Sequence, residues 1–249
     1  MAMATMLVTG GSRGIGAATV QAAALAGYDV CFSYVSDIEA ATSVAKKVKA
    51  RGRGVHVEHA DVSNEQDVVN LFDQCVDQFG IPDVVVNNAG VLGTRGELAD
   101  FTAERISRTV NVNVFGALLV MREAAKRMSL DRGGEGGSIV NVSSRASTLG
   151  SPFEYIDYAA TKGAVDSATI GLAKELGAEG VRVNAVRPGL IDTGIHASGG
   201  EPGRIERVAP HIPQKRGGEP EEVAALIMWL ASKEASYVTG ALVDVGGGR

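Results

Sequence analysis

The chain is poor in cysteine, tryptophan and aromatic residues: it has two cysteines and one tryptophan, and Phe, Trp and Tyr make up 5% of it. Cys31 and Cys75 cannot build a disulfide framework, and no histidine stands at a zinc-ligand spacing from either, so both are read as buried apolar residues. No apolar run is long enough to span a bilayer, which argues against a membrane helix. No Lys/Arg run with interleaved aromatics occurs, and the net charge is −5 with a pI near 5.5. Neither nucleic acid nor membrane is expected as a partner. The first ten residues lack the basic region and cleavage pattern of a secretory signal, so a cytoplasmic protein is expected.

What the chain does have is alternation. Its 249 residues, 45% of them hydrophobic, are enough to bury a large core, and one domain over 1–249 is expected. Short β-branched runs near 4–9, 29–35, 54–59, 83–87, 137–143, 180–186 and 241–245 read as strands. Helical patterns fall between them at about 14–26, 38–50, 65–79, 101–129, 157–177 and 219–232. Repeated βαβ units imply a parallel sheet in an α/β, doubly wound fold, and the unalternating runs at 83–87 and 138–142 suit strands covered on both faces. Residues 190–218 break the pattern with glycines and prolines and no strand. Lying after the sixth strand, they form a candidate substrate lid, or else a surface excursion without a role.

The first strand runs into Gly10-Gly11-Ser12-Arg13-Gly14-Ile15-Gly16, where small residues let backbone amides approach a pyrophosphate at a helix N-terminus. The spacing is Gly-x-x-x-Gly-x-Gly, not the Gly-x-Gly-x-x-Gly fingerprint, and alone it is also compatible with close packing. The end of the second strand lacks the acid that would bond the ribose of NAD: Tyr34 stands there and Asp37 lies beyond. Arg13, assisted by Ser36, suits a 2′-phosphate, which favours NADP(H) over NAD(H), unless Arg13 is merely solvated. Asp61 is placed to meet the adenine edge, with Val62 on the ring, though helix capping accounts for Asp61 as well.

Tyr158 and Lys162 stand four residues apart on one helix face. A cation beside a phenol favours phenolate and so makes a usable acid/base, although such a pair also arises by chance. With the glycine loop, Asn87-Asn88-Ala89-Gly90, Ser143-Ser144 and Pro188-Gly189, the pair falls in a fixed order along nearly the whole chain. In this the chain resembles the classical short-chain dehydrogenase/reductases. The resemblance implies a Rossmann domain with a seven-stranded sheet in order 3-2-1-4-5-6-7, a nicotinamide cofactor, and hydride transfer with a small carbonyl or alcohol substrate, without a metal.

It further implies that Tyr158 is the general acid/base, that Lys162 lowers its pKa and bonds the nicotinamide ribose, and that Ser144 polarises the substrate oxygen, Ser143 being the other choice. Asn113 would hold a relay water, or else serve as a core asparagine. Asn87, Asn88, Ala89 and Gly90 would line the adenosine side, and Pro188, Gly189, Ile191 and Thr193 the nicotinamide side. The stretch 151–157 is about one residue longer than the resemblance expects, which makes Phe153 and Tyr155 candidate substrate contacts or packing residues. A homotetramer is implied, a dimer being the smaller choice. A cofactor-binding regulatory or scaffolding protein without turnover is the alternative function, and a related epimerase or dehydratase is a third reading. The substrate class stays open among acyl thioesters, sugars and simple ketones.

Overall fold

The computed structural model describes residues 4–249, except for the side chains of His196 and Ser198, so the lid residue His196 lies outside the described set. In chain order the elements are β1 Thr5–Val8, α1 Gly14–Leu25, β2 Asp29–Tyr34, α2 Ile38–Lys49, β3 Val55–His59 and α3 Glu65–Phe79. Then come β4 Val84–Asn87, α4 Ala103–Val110, a π-helical turn Asn111–Gly116, α5 Ala117–Met128, β5 Gly137–Val142, the one-turn α6 Ala146–Leu149 and α7 Ile156–Leu176. The chain closes with β6 Val181–Pro188, α8 Ile195–Ser198, α9 Arg204–Val208, α10 Pro220–Ala231 and β7 Leu242–Val245. All seven strands pair in parallel in the order β3-β2-β1-β4-β5-β6-β7, as expected.

Because both faces are covered, the central strands are apolar throughout: Met6, Leu7 and Val8 are buried, and so are Val84, Val85 and Val86. Successive side chains point to opposite faces and feed two cores. Met6, Val8, Val84 and Val86 pack with α1, α2 and α10, whereas Leu7, Val85 and Ile139 pack with α3, α5 and α7. Each large side chain withdrawn from water, such as Phe32 or Phe72, contributes about 1.5–3 kcal/mol. The strand order reverses between β1 and β4. At that switch point the carboxyl ends of the strands diverge and open a cleft, which is where ligands bind in such sheets.

Two expectations are corrected. The single helix over 101–129 is interrupted by the π turn at Asn111–Gly116. Asn113 there is tied by its side chain to both backbone groups of Val91, and a Cβ on Gly116 would stand 2.8 Å from Val62, so the widened turn fits two fixed neighbours. The segment 190–218 is not featureless either: it holds α8 and α9, and an Ile191–Gly218 bridge joins its ends. Leu190, Val208 and Ile212 give it a small core of its own.

Candidate active site

The glycine loop shows why these residues are glycines. Gly10 and Gly14 have φ of 66° and 53°, in the left-handed region. A Cβ on Gly16 would lie 2.2 Å from the Gly10 carbonyl, so Gly16 serves contact between loop and helix and does not line the cleft. Arg13 is the N-cap of α1 and makes no side-chain capping bond, which leaves the first-turn amides directed at the cleft. That is a receptive end for a phosphate, and Gly10, Ser12, Arg13, Gly14 and Ile15 all border it. Thr9, which the motif reading passed over, fastens the opposite wall. Its buried hydroxyl accepts from the backbone amides of Asn88 and Ala89 at 2.9 and 3.0 Å, while the Asn88 side-chain Nδ2 donates back to the carbonyls of Thr9 and Gly10.

Farther along this wall, Tyr34, Ser36 and Asp37 border the cleft with Asp61 and Val62. Asp37 caps α2 by accepting from the Ala40 amide at 2.8 Å, and exposed Arg13 stands on the same rim. Asp61 accepts from the amide and hydroxyl of Ser63, while Asn64 caps α3, so one Asp61 oxygen has a turn-forming task. Asn88, Ala89 and Gly90 line the cleft. Asn87 does not: it is buried and donates to Ala117 O and Asn141 Oδ1 at 3.0 Å, as part of the core. Pro188, Gly189, Ile191 and Thr193 border the other side, Thr193 lying against Gly14.

At the far end α7 brings Tyr158 and Lys162 up beside the β5 terminus. The Lys162 ammonium donates to Val142 O at 2.8 Å and lies 5.5 Å from the Tyr158 ring centroid. Ser144 and Ser143 divide their work. Ser143 is turned to the main chain of Lys162, at 3.2 Å, whereas Ser144 borders the cleft beside Tyr158, its hydroxyl accepting from the Ala146 amide at 3.1 Å and lying 3.5 Å from the Pro188 carbonyl. Asn113 donates to Val91 O and Thr161 Oγ1 and accepts from Val91 N. Both of its amide protons are therefore engaged, and one Oδ1 lone pair remains for a water.

On balance the Tyr158 phenol lies above its ordinary value, not below it. Burial pushes the phenol up to about 12, while neighbouring Ser144 acts the other way. Burial pushes the Lys162 ammonium down to about 8, against which Asp166 acts. A site of this kind holds a protonated phenol and an ammonium at neutral pH.

The substrate end is roofed by Tyr155, one of the two candidate contacts in the lengthened segment, and by Arg204 of the lid. Tyr155 and Arg204 are buried and line the cleft; Phe153 is 68% exposed and is not among its lining residues. Ser151 and Phe153 have positive φ, so the lengthened segment turns sharply and puts Phe153 outside and Tyr155 inside. The Tyr155 hydroxyl donates to Glu201, and Arg204 bridges Glu154 and Glu201 at 2.7 and 3.0 Å. Arg207 pairs with the same two carboxylates at 2.6 Å each. Burial opposes ionisation of Glu201, but Arg207 and Arg204 more than offset it and hold the carboxyl at about 2.

The cleft encloses about 440 Å³. Among the described residues no helix is long and apolar enough to cross a membrane, and no three His, Cys, Asp or Glu side chains are placed to hold a metal.

A doubly wound sheet with a phosphate-receptive loop at its switch point and a Ser/Tyr/Lys group beyond it defines a dinucleotide-dependent enzyme class. The family model described as enoyl-(acyl carrier protein) reductase matches residues 10–249. The chain is 53% identical over 248 residues to the uncharacterized oxidoreductase YgfF of Escherichia coli strain K12, covering 99% of this chain and all of that one. It is 36% identical to glucose 1-dehydrogenase 2 of Bacillus subtilis strain 168, over 98% of this chain and 93% of the relative. The structure superposes with a TM-score of 0.90 and 35% identity on a blue fluorescent protein from a metagenomic library in complex with NADPH, over 98% and 97% of the two chains. The chain belongs to the classical short-chain dehydrogenase/reductase family and is an oxidoreductase of that type.

Proposed function

We propose that the protein interconverts a small carbonyl compound and its alcohol, using NADP(H) in preference to NAD(H), with Tyr158 as general acid/base. The observation that carries this reading is the convergence of the Ser144 and Tyr158 hydroxyls and the Lys162 ammonium at one end of the cleft that begins at the uncapped α1 N-terminus. The glycine loop would hold the pyrophosphate, Arg13 and Ser36 the 2′-phosphate, and Thr193 with the Pro188–Ile191 stretch the nicotinamide. A bound nicotinamide supplies or accepts the hydride. The complex of a structural neighbour with NADPH supports the cofactor preference.

The chain's own residues supply the rest. Ser144 donates a hydrogen bond to the substrate oxygen and Tyr158 gives it a proton in reduction. A phenol pushed up to about 12 stands protonated at neutral pH, which is the state that reduction requires. Lys162 places a positive charge below the phenol and stabilises phenolate once the proton has left. Asn113 fixes the Val91 loop against α7 through Thr161 and offers its remaining lone pair to a relay water. The roof sets Glu154 and Glu201 against Arg204 and Arg207, with Arg95 3.9 Å from Glu201, so its charges are paired among themselves, which suits a polar substrate such as a sugar; the glucose dehydrogenase relative is in keeping with it.

We read residues 1–249 as one cytoplasmic domain whose 190–218 segment is the lid. Exposed Val110, Phe115, Leu118 and Ile170, on α4, the π turn, α5 and α7, support pairing of these helices between subunits of a homotetramer. Sedimentation showing only monomer rejects the assembly. The function is tested by following NADPH and NADH oxidation with sugars, ketones, aldehydes and acetoacetyl thioesters, and NADP+ and NAD+ reduction with the matching alcohols. Turnover of a carbonyl with NADPH is expected; no turnover with any pair sinks the reading.

A further inference from the structure

Asp166 follows Lys162 by one helical turn on α7, so Tyr158, Lys162 and Asp166 form a single row at spacings of four. Its side chain is about nine-tenths buried, and Oδ1 has no hydrogen-bond partner. An unsatisfied buried carboxylate oxygen is a liability that folds ordinarily remove. The nearest cation on another strand, Arg187 of β6, does not remove it. Arg187 Nε donates to Asp244 of β7 at 2.6 Å, and its contact with Asp166 Oδ2 is 3.7 Å. Asp244 in turn binds Arg145, which borders the cleft next to Ser144. Arg187 is thus engaged mainly by Asp244, and Asp166 Oδ1 is left without a partner one helical turn from Lys162.

We propose that Asp166 is a positioning residue that keeps the Lys162 ammonium charged at the pH of turnover. The surroundings are consistent with this. Lys162 faces Tyr158 and Asp166 from its own helix, the Val142 carbonyl from β5, and the Asn113 amide from the π turn across Gly90. Asp166 faces Arg187 from β6, with Asp244 of β7 behind it. Burial drives Lys162 down to about 8, and Asp166 opposes that fall. Activity that requires the ammonium is therefore present below about 8 and lost above it, and removing Asp166 moves the loss to lower pH.

The proposal rests on the role given to Lys162 above, and the test separates the two. The pH profile of kcat is measured for wild type, Asp166→Asn, Arg187→Gln and Lys162→Met, with NADPH and a ketone or aldehyde that the wild type reduces; NADPH affinity is followed over the same pH range by fluorescence titration. Asp166→Asn is expected to move the alkaline limb down by about one pH unit, with kcat well below the limb within a few fold of wild type. The pH at which NADPH affinity falls should move with it. Arg187→Gln removes a competing cation and is expected to move the limb upward, which decides the matter if Asp166→Asn does not fold. An unmoved limb in folded Asp166→Asn, with Lys162→Met inactive, overturns this proposal alone. Wild-type turnover by Lys162→Met overturns the role of Lys162 itself and the proposal with it.

Discussion

The two ends of the cleft's catalytic half are built on different principles. Its floor, formed by the ends of β4 and β5 and by α7, fixes each functional group through main-chain hydrogen bonds: Lys162 to Val142, Asn113 to Val91, Ser143 to Lys162. Its roof, formed by residues 151–155 and the lid, is held largely by paired charges at Glu154, Glu201, Arg204 and Arg207. Main-chain anchors are insensitive to salt and to mild acid. Ion pairs weaken with salt. The difference separates a part that must not move during proton transfer from a part that can admit different substrates.

Disturbing the floor should have the larger effect on stability. Asp157 lies in the first turn of α7, accepts from the Tyr158 amide at 2.9 Å, and is clamped by Arg105 of α4 at 2.8 and 3.1 Å. Its side chain is 2% exposed. Asp157→Asn leaves Arg105 uncompensated and should lower stability by about 3 kcal/mol, read from denaturant midpoints at constant m. It should also lower kcat, because Tyr158 loses the fixed start of its helix. A loss below about 0.5 kcal/mol would show that the floor does not depend on this clamp.

Disturbing the roof should be milder. Glu201 sits below its ordinary pKa, so its contribution is complete above the carboxylate's unfolded value and is lost as pH falls through about 2. Glu201→Gln should cost about 1 kcal/mol or less while raising KM for the carbonyl more than it lowers kcat. Equal effects on kcat and KM would erase the distinction between floor and roof.

The same division governs what the sequence reveals. The floor is legible because its signals are local. A strand end followed by Ser143-Ser144, and a spacing of four between Tyr158 and Lys162, keep their meaning wherever the helix sits. The seven strands are legible because buried parallel strands are continuous apolar runs, whereas their order is implied by the family resemblance alone. The roof is not, since Glu154 meets Arg204 across fifty residues and Arg207 across fifty-three. No periodicity signals such pairs. Asn87 illustrates the converse error. It stands in a motif that points to the cleft, yet the alternation of strand side chains turns it into the core toward Asn141. The direction of the Tyr158 shift was also out of reach, because burial depends on the whole packed environment.

Proton donation by Tyr158 is tested most directly by single-turnover NADPH oxidation in Tyr158→Phe, with a carbonyl that the wild type reduces and with folding and NADPH affinity verified. Loss of the hydroxyl should slow the chemical step by about 10²–10⁴-fold while NADPH affinity stays near that of the wild type. A chemical step at the wild-type rate would contradict the account.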